Sequence, residues 1–204
     1  LVGHTGPSSV VVPLVLGAAS DMLWSDFETA QVVAIELGAR LGLAAVFSPH
    51  HEHRVPCLHH VSGAAAASRV LRLAPCETAH ALALSLAQPQ APFAPALVGG
   101  DDTRTLTSAM AAMQGVVAAE LAFEKVRGAL DVLDDEHASF LGRSLSFARD
   151  ALGRLRDVWL TETIHVKAYP ACVYGQTAIE AAVEVLAQAR AILRRALEPK
   201  DVAS

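Results

Sequence analysis

The sequence predicts a mainly α-helical protein, a helical body followed by the start of a small α+β piece, and three observations carry that prediction. Hydrophobic residues make up 52% of the 204 and aromatics only 5%, so the apolar content is chiefly Ala, Leu and Val, which suits close-packed helices better than a β-sandwich. Through most of the chain the apolar positions recur at helical intervals. At 163–168 the pattern changes: Ile164, Val166 and Ala168 alternate with Thr163, His165 and Lys167, which reads as a strand.

Taken in order, the chain opens without a methionine, and a Gly/Pro/Ser loop leads into an apolar segment ending at Gly17, as if joined in the middle of something longer. Ser25 and Glu28 have capping-box spacing, and the helix they would start runs through Val32, Val33, Leu37 and Leu41 to a stop at Gly42. Residues 48–60, SPHHEHRVPCLHH, hold five of the nine histidines and, with Pro49 and Pro56, read as an extended loop. A small-residue helix over 64–73 must pack closely against a neighbour. Another helix covers 75–87, beginning at Pro75, whose missing N–H costs nothing in a first turn. A Pro/Gly-rich loop fills 88–102. A helix with Ala, Met and Gly on its faces follows at 107–125, then a short acidic helix or loop at 128–140. An exposed helix at 141–158 carries Arg143, Arg149, Arg154 and Arg156, expected as a solvated face. Beyond the strand, Tyr169-Pro170 breaks the ladder, and from Thr177 the apolar positions Ala178, Ala181, Ala182, Val185 and Leu186 return to helical spacing. The division expected is a helical domain over 1–158 and the beginning of an α+β domain over 159–204.

Composition narrows the function. A net charge of −5 with scattered basic residues offers no electrostatic footprint for nucleic acid. No uninterrupted apolar run reaches the roughly 18–20 residues of a membrane span, and no charged and apolar leader opens the chain, so no membrane partner is expected. Cys57, Cys76 and Cys172 are odd in number and far apart, which points away from a disulfide framework and toward a reducing, cytoplasmic setting. His50, His51, His53, Cys57, His59 and His60 offer imidazole and thiolate, the ligands zinc prefers; their spacing fits no standard finger, and neither metal nor cofactor is expected.

Four segments, GPSSVVVPLVLGAAS, SGAAAASRVLRLAPCETAHALALSLAQ, TRTLTSAMAAMQGVVAAELAFEKVRG and HVKAYPACVYGQTAIEAAVEVL, occur in the order and spacing of the MmgE/PrpD family, which includes 2-methylcitrate dehydratase and cis-aconitate decarboxylase. The resemblance covers nearly the whole chain. It implies an all-helical domain followed by the start of an α+β lid with the active site between them, a homodimer, and a fragment or a naturally shortened member of the family. A complementing chain that supplies the missing segments is the other partner it implies.

The chemistry implied is proton abstraction next to a carboxylate, followed by loss of water or carbon dioxide, without metal. That step needs positive charge where the carbanion grows and a base that titrates near the working pH, a task histidine suits. Carried over by position, His53 falls on an active-site histidine, Lys167 on the lid lysine, and Cys172 where members have histidine or cysteine. Arg104 stands for a lysine, Gly6 for the histidine of a His-Pro motif, Val173 for an arginine and Gln176 for a histidine. The roles implied are His53 as general base or acid, Lys167 and Arg104 as carboxylate clamps or oxyanion donors, His4 as a second proton carrier near the place of Gly6, and Cys172 and Tyr174 as substrate contacts.

Read without the resemblance, His53 is a satisfied polar residue, Lys167 a solvated edge-strand lysine and Cys172 a small buried apolar residue. The alternative function is a repurposed scaffold, either a cyclase or isomerase of a larger, less charged metabolite or a noncatalytic partner protein. Val173 and Tyr174 in place of polar lid residues favour that alternative, and the small set of cations, Arg104, Lys167 and Arg54, limits how many carboxylates can be held.

Overall fold

The structure, a computed structural model, describes residues 4–44, 55–88, 99–100, 102–133, 150, 152–153, 155, 157–195 and 201, with the side chains of 55–57 and 104 outside that description. The chain divides into two compact units, Leu1–Thr163 and Ile164–Ser204.

The first unit is a helical assembly around one central helix. A π-helical turn, Pro7–Val11, leads into α1, Val12–Ala18. Then come α2, Trp24–Ala44, α3, Val55–Val70, α4, Pro75–Leu86, and α5, Thr103–Phe123. The π turn falls just ahead of Pro13, which has no N–H to close on the carbonyl one turn back, and wide turns of this kind absorb such a break. Helix α3 packs against α1, α2, α4 and α5, and every side chain from Leu58 to Ser68 is buried.

Small residues let α3 sit at the centre. A Cβ on Gly63 would lie 2.5 Å from the carbonyl oxygen of Ala112 on α5, and one on Gly115 of α5 would run into the carbonyl oxygen of His60. The two helices therefore meet backbone to backbone. On the α2 side, Gly38 leaves room for Ser62, whose hydroxyl donates to the Ala34 carbonyl at 2.9 Å. Around these crossings lie apolar clusters, one of Leu41, Leu58, Val61 and Leu86, another of Ala67, Ala81, Ala119 and Ala122. Helix α5 is long and apolar enough by length and composition to cross a membrane, and is alone in that among the described helices. One side of it packs on α3 and α4, while Leu106, Met110, Met113, Val117 and Phe123 are exposed.

The second unit consists of an irregular stretch from Ile164, a 3-10 turn at Val173–Gly175 and α6, Gln176–Leu193. No residue of α6 is buried. The helix ends at Arg194 in the left-handed conformation, and Arg195 makes a two-pronged ion pair with Asp201, both bonds at 2.7 Å.

Helical expectations at 75–87, 107–125 and beyond Thr177 agree with α4, α5 and α6. Four others are corrected. The loop reading of 48–60 fails from Val55 onward, because Pro56 is the second residue of α3, where a proline is tolerated for the same reason as at Pro75. The capping box at Ser25 and Glu28 does not form: the helix already starts at Trp24, and Glu28 accepts instead from the Trp24 indole N–H at 2.9 Å. No strand exists among the described residues. Leu160–Thr163 winds into a 3-10 turn and Val166 is 93% exposed, since alternation without a neighbouring strand has no ladder to join. Finally, the described positions of 141–158 are not α-helical; the Gly153 carbonyl, which such a helix would use internally, accepts from Arg40 instead, as does that of Val158.

Candidate functional site

Two neighbouring histidines enter the centre of the first unit from α3. His59 and His60 are each 1% exposed, and consecutive helical positions point them in different directions. His59 turns toward the N-terminal segment, with Nδ1 3.1 Å from the hydroxyl of Ser8. That hydroxyl donates to the Thr5 carbonyl at 3.1 Å, so it accepts from His59 Nδ1–H and leaves Nε2 as the lone-pair nitrogen. Ser9 bonds back to the same Thr5 carbonyl at 2.9 Å, and the two serines thereby fix the entry into the π turn. His60 turns toward α5 and donates from Nε2 to the Gln114 side-chain oxygen at 2.6 Å. The result is a buried polar line tying the π turn, α3 and α5 together, one residue from the close contact at Gly115.

Burial decides the charge of both rings. Loss of hydration holds His59 down at about 4, with His60 and then His4 adding repulsion. Desolvation also lowers His60, against a smaller upward pull from Gln114. Both are therefore neutral imidazoles at neutral pH, and His59 senses His4 electrostatically.

Of the side chains singled out in the sequence, His4 is exposed at the start of the first unit, within electrostatic range of His59. Arg104 is the second residue of α5, and its side chain lies outside the description. His53 lies outside the described residues altogether. Lys167, Cys172 and Tyr174 belong to the second unit. Lys167 and Cys172 are exposed, the latter against its reading as a small buried residue, and Tyr174 is 92% exposed. Gly6, in the helical conformation, has nothing within 4 Å of the place where a Cβ would stand. A side chain at position 6 would therefore leave the backbone without a clash.

Sequence reading passed over Ser8 and Gln114, and weighed His59 and His60 only as possible zinc ligands in an extended loop. The signal available was the helical register of Ala64–Ala67 run backwards through Leu58, which places His59 and His60 inside the helix. Elsewhere in the unit, a cavity of about 190 Å³ is lined by Ser20, Asp21, Met22, Asp26, Arg69 and Arg72. Its arginines are engaged by Asp26, at 2.6 and 3.4 Å, and it gathers none of the residues above. Among the described residues no three His, Cys, Asp or Glu side chains converge as metal ligands would.

Comparison with protein families matches residues 1–146 to the MmgE/PrpD N-terminal domain. None of the curated proteins matches the chain.

Proposed function

The chain belongs to the MmgE/PrpD family, and from that premise we propose that it is a lyase or isomerase of a small carboxylate, working by proton abstraction next to the carboxylate. The observation that carries the reading is the family match over residues 1–146. Membership supports a dehydratase- or lyase-type role, and the particular reaction is our proposal.

In the proposed reaction a histidine, His53 or His4, removes a proton from the carbon beside the carboxylate. The electron pair moves into the carboxylate as an enediolate, and Lys167 and Arg104 offset the charge that grows on its oxygens. Collapse of the enediolate expels a β-hydroxyl, protonated by the second histidine and released as water. In the decarboxylating variant a carboxylate leaves as carbon dioxide and the second histidine protonates the carbon left behind. Arginine at 104 clamps a carboxylate but does not relay protons, since guanidinium keeps its proton in proteins. Cys172 and Tyr174 would line the substrate. The lid role of 159–204 rests on the K-A-Y-P-A-C turn, since the family match ends at 146. A second copy, or a chain that complements the lid, is the partner this reading calls for, and sedimentation velocity distinguishes the two.

The test is proton exchange. The full chain is incubated in D2O with a panel of small hydroxy di- and tricarboxylic acids, and deuterium next to each carboxylate is followed by NMR. Incorporation into one of them is the expected result, with Lys167→Ala and His53→Ala each reducing it about 100-fold or more. Absence of exchange across the panel would overturn the lyase reading. It would favour the repurposed scaffold, the reading favoured by Val173 and Tyr174 on the turn and by glycine in place of a histidine at position 6.

A further inference from the structure

In the second unit the stretch from Ile164 has no β-partner among the described residues, yet the turn at its end is held by a single side chain. The carboxamide oxygen of Gln176, the first residue of α6, accepts from the backbone N–H of Tyr169 at 3.0 Å. Its nitrogen donates to the carbonyl of the same Tyr169 at 2.9 Å, and to those of Ala171 and Cys172 at 3.3 and 3.4 Å. A carboxamide presents an acceptor and two donors side by side. It therefore pairs with both the N–H and the C=O of one residue, as the facing residue of a β-ladder does. The other hydrogen bonds of the turn are short-range backbone bonds, Ala171 N–H to the Tyr169 carbonyl at 2.7 Å and Gly175 N–H to the Cys172 carbonyl at 3.0 Å. Among the described residues, Gln176 is the side chain that joins this turn to the start of α6.

We propose that Gln176 is the positioning residue of the Tyr169–Cys172 turn, standing in for a strand partner and fixing how Lys167, Cys172 and Tyr174 are presented to substrate. The assignment rests on the reading that those three residues serve the reaction. Neither histidine nor glutamate replaces this function. An imidazole has its two nitrogens on different edges of the ring and has only one donor when neutral; a carboxylate accepts from the Tyr169 N–H but faces three carbonyl oxygens with no proton to give. At this position the chain uses a group that does not titrate, so the clamp itself does not change charge across neutral pH.

Hydrogen exchange at the Tyr169 amide tests the clamp without any substrate. In the full chain, Gln176→Ala should exchange that amide about tenfold faster than wild type, the order expected for one lost hydrogen bond. Gln176→Glu should fall between the two, and circular dichroism should show α6 retained in both. With an acid that the protein turns over, Gln176→Ala should lower kcat about tenfold or more while KM stays within about threefold, since a misplaced turn loses transition-state contacts first. Unchanged Tyr169 exchange overturns the assignment, as does faster exchange with unchanged kcat. Faster exchange in a protein that turns over none of the acids sinks the lyase reading and leaves the clamp standing, so the two failures are separable.

Discussion

Arg40 and Glu36, one turn apart on α2, form an ion pair at 3.1 Å with side chains only 4% and 5% exposed. Both are also bonded to the chain that leads out of the first unit. The Arg40 guanidinium donates to the Gly153 carbonyl at 2.6 Å and to that of Val158 at 2.5 Å. Glu36 accepts from the backbone N–H and the hydroxyl of Thr161, at 2.7 and 2.8 Å. Removing one member breaks a buried ion pair together with its bonds to that chain, a loss of about 3–5 kcal/mol. Arg40→Ala and Glu36→Ala should each lower the unfolding free energy by that order in a urea titration followed by circular dichroism. Amides near Thr161 should exchange faster in both, and a stability within about 1 kcal/mol of wild type would contradict the arrangement.

Acid should weaken the first unit through His59. Its folded-state value of about 4 lies below the ordinary 6.5, so the unfolded chain binds the proton more readily. The stabilisation is whole above about pH 6.5, is lost as pH falls from there to about 4, and levels off below. For this group the loss is on the order of 3 kcal/mol, and His60, shifted the same way, adds to it. Urea midpoints measured from pH 7.5 to 4 should trace the fall, and His59→Gln should flatten it. An unaltered slope in that variant would assign the acid sensitivity to other groups.

The helix crossing gives a steric prediction with an internal control. Gly115→Ala and Gly63→Ala place a methyl against backbone of the opposing helix, which cannot swing aside, and should each cost about 1–3 kcal/mol. Gly6→Ala meets nothing within 4 Å and should leave the thermal midpoint near that of wild type. Equal behaviour of the three would mean that α3 and α5 do not touch as described.

Gly6→His tests the chemistry by adding a group rather than removing one. The position is helical, with φ −46° and ψ −48°, and a Cβ there meets nothing within 4 Å, so a side chain can leave the backbone without strain. If proton transfer is limited by the missing histidine, deuterium incorporation should rise about 100-fold. No gain, in a variant whose helicity and midpoint match wild type, would place the second proton carrier elsewhere, with His4 as the first residue to substitute.

Helices whose signals are local were legible in the sequence. Pro75 followed by a regular apolar repeat located the start of α4, and the small faces of 107–125 located α5. The same first-turn rule, applied at Pro56, would have drawn the histidines of 59–60 into a helix; two prolines among five histidines suggested a loop instead. The alternation at 163–168 misled for a different reason. A strand is a relationship between two segments, and period alone does not supply the second. The bond between Ser8 and His59 joins residues 51 positions apart, and the capture of Gly153 by Arg40 spans 113. No window of sequence contains either, which is why the polar groups at the centre of the first unit went unseen while its helices were found. His53, Lys167 and Arg104 came from family likeness, and their roles await the exchange experiment.

Among the fully buried side chains of the described residues, the bulkiest are the two imidazoles of α3, and much of the interior is methyl groups such as those of Ala64–Ala67. At the alanines of such an interior there is little to erode, because alanine has one carbon to give up, and at Gly63 and Gly115 nothing can be added, because carbonyl oxygens stand where a Cβ would go. The crossing of α3 and α5 at Gly63 and Gly115 is thereby held to one spacing, set by backbone meeting backbone rather than by the size of any side chain.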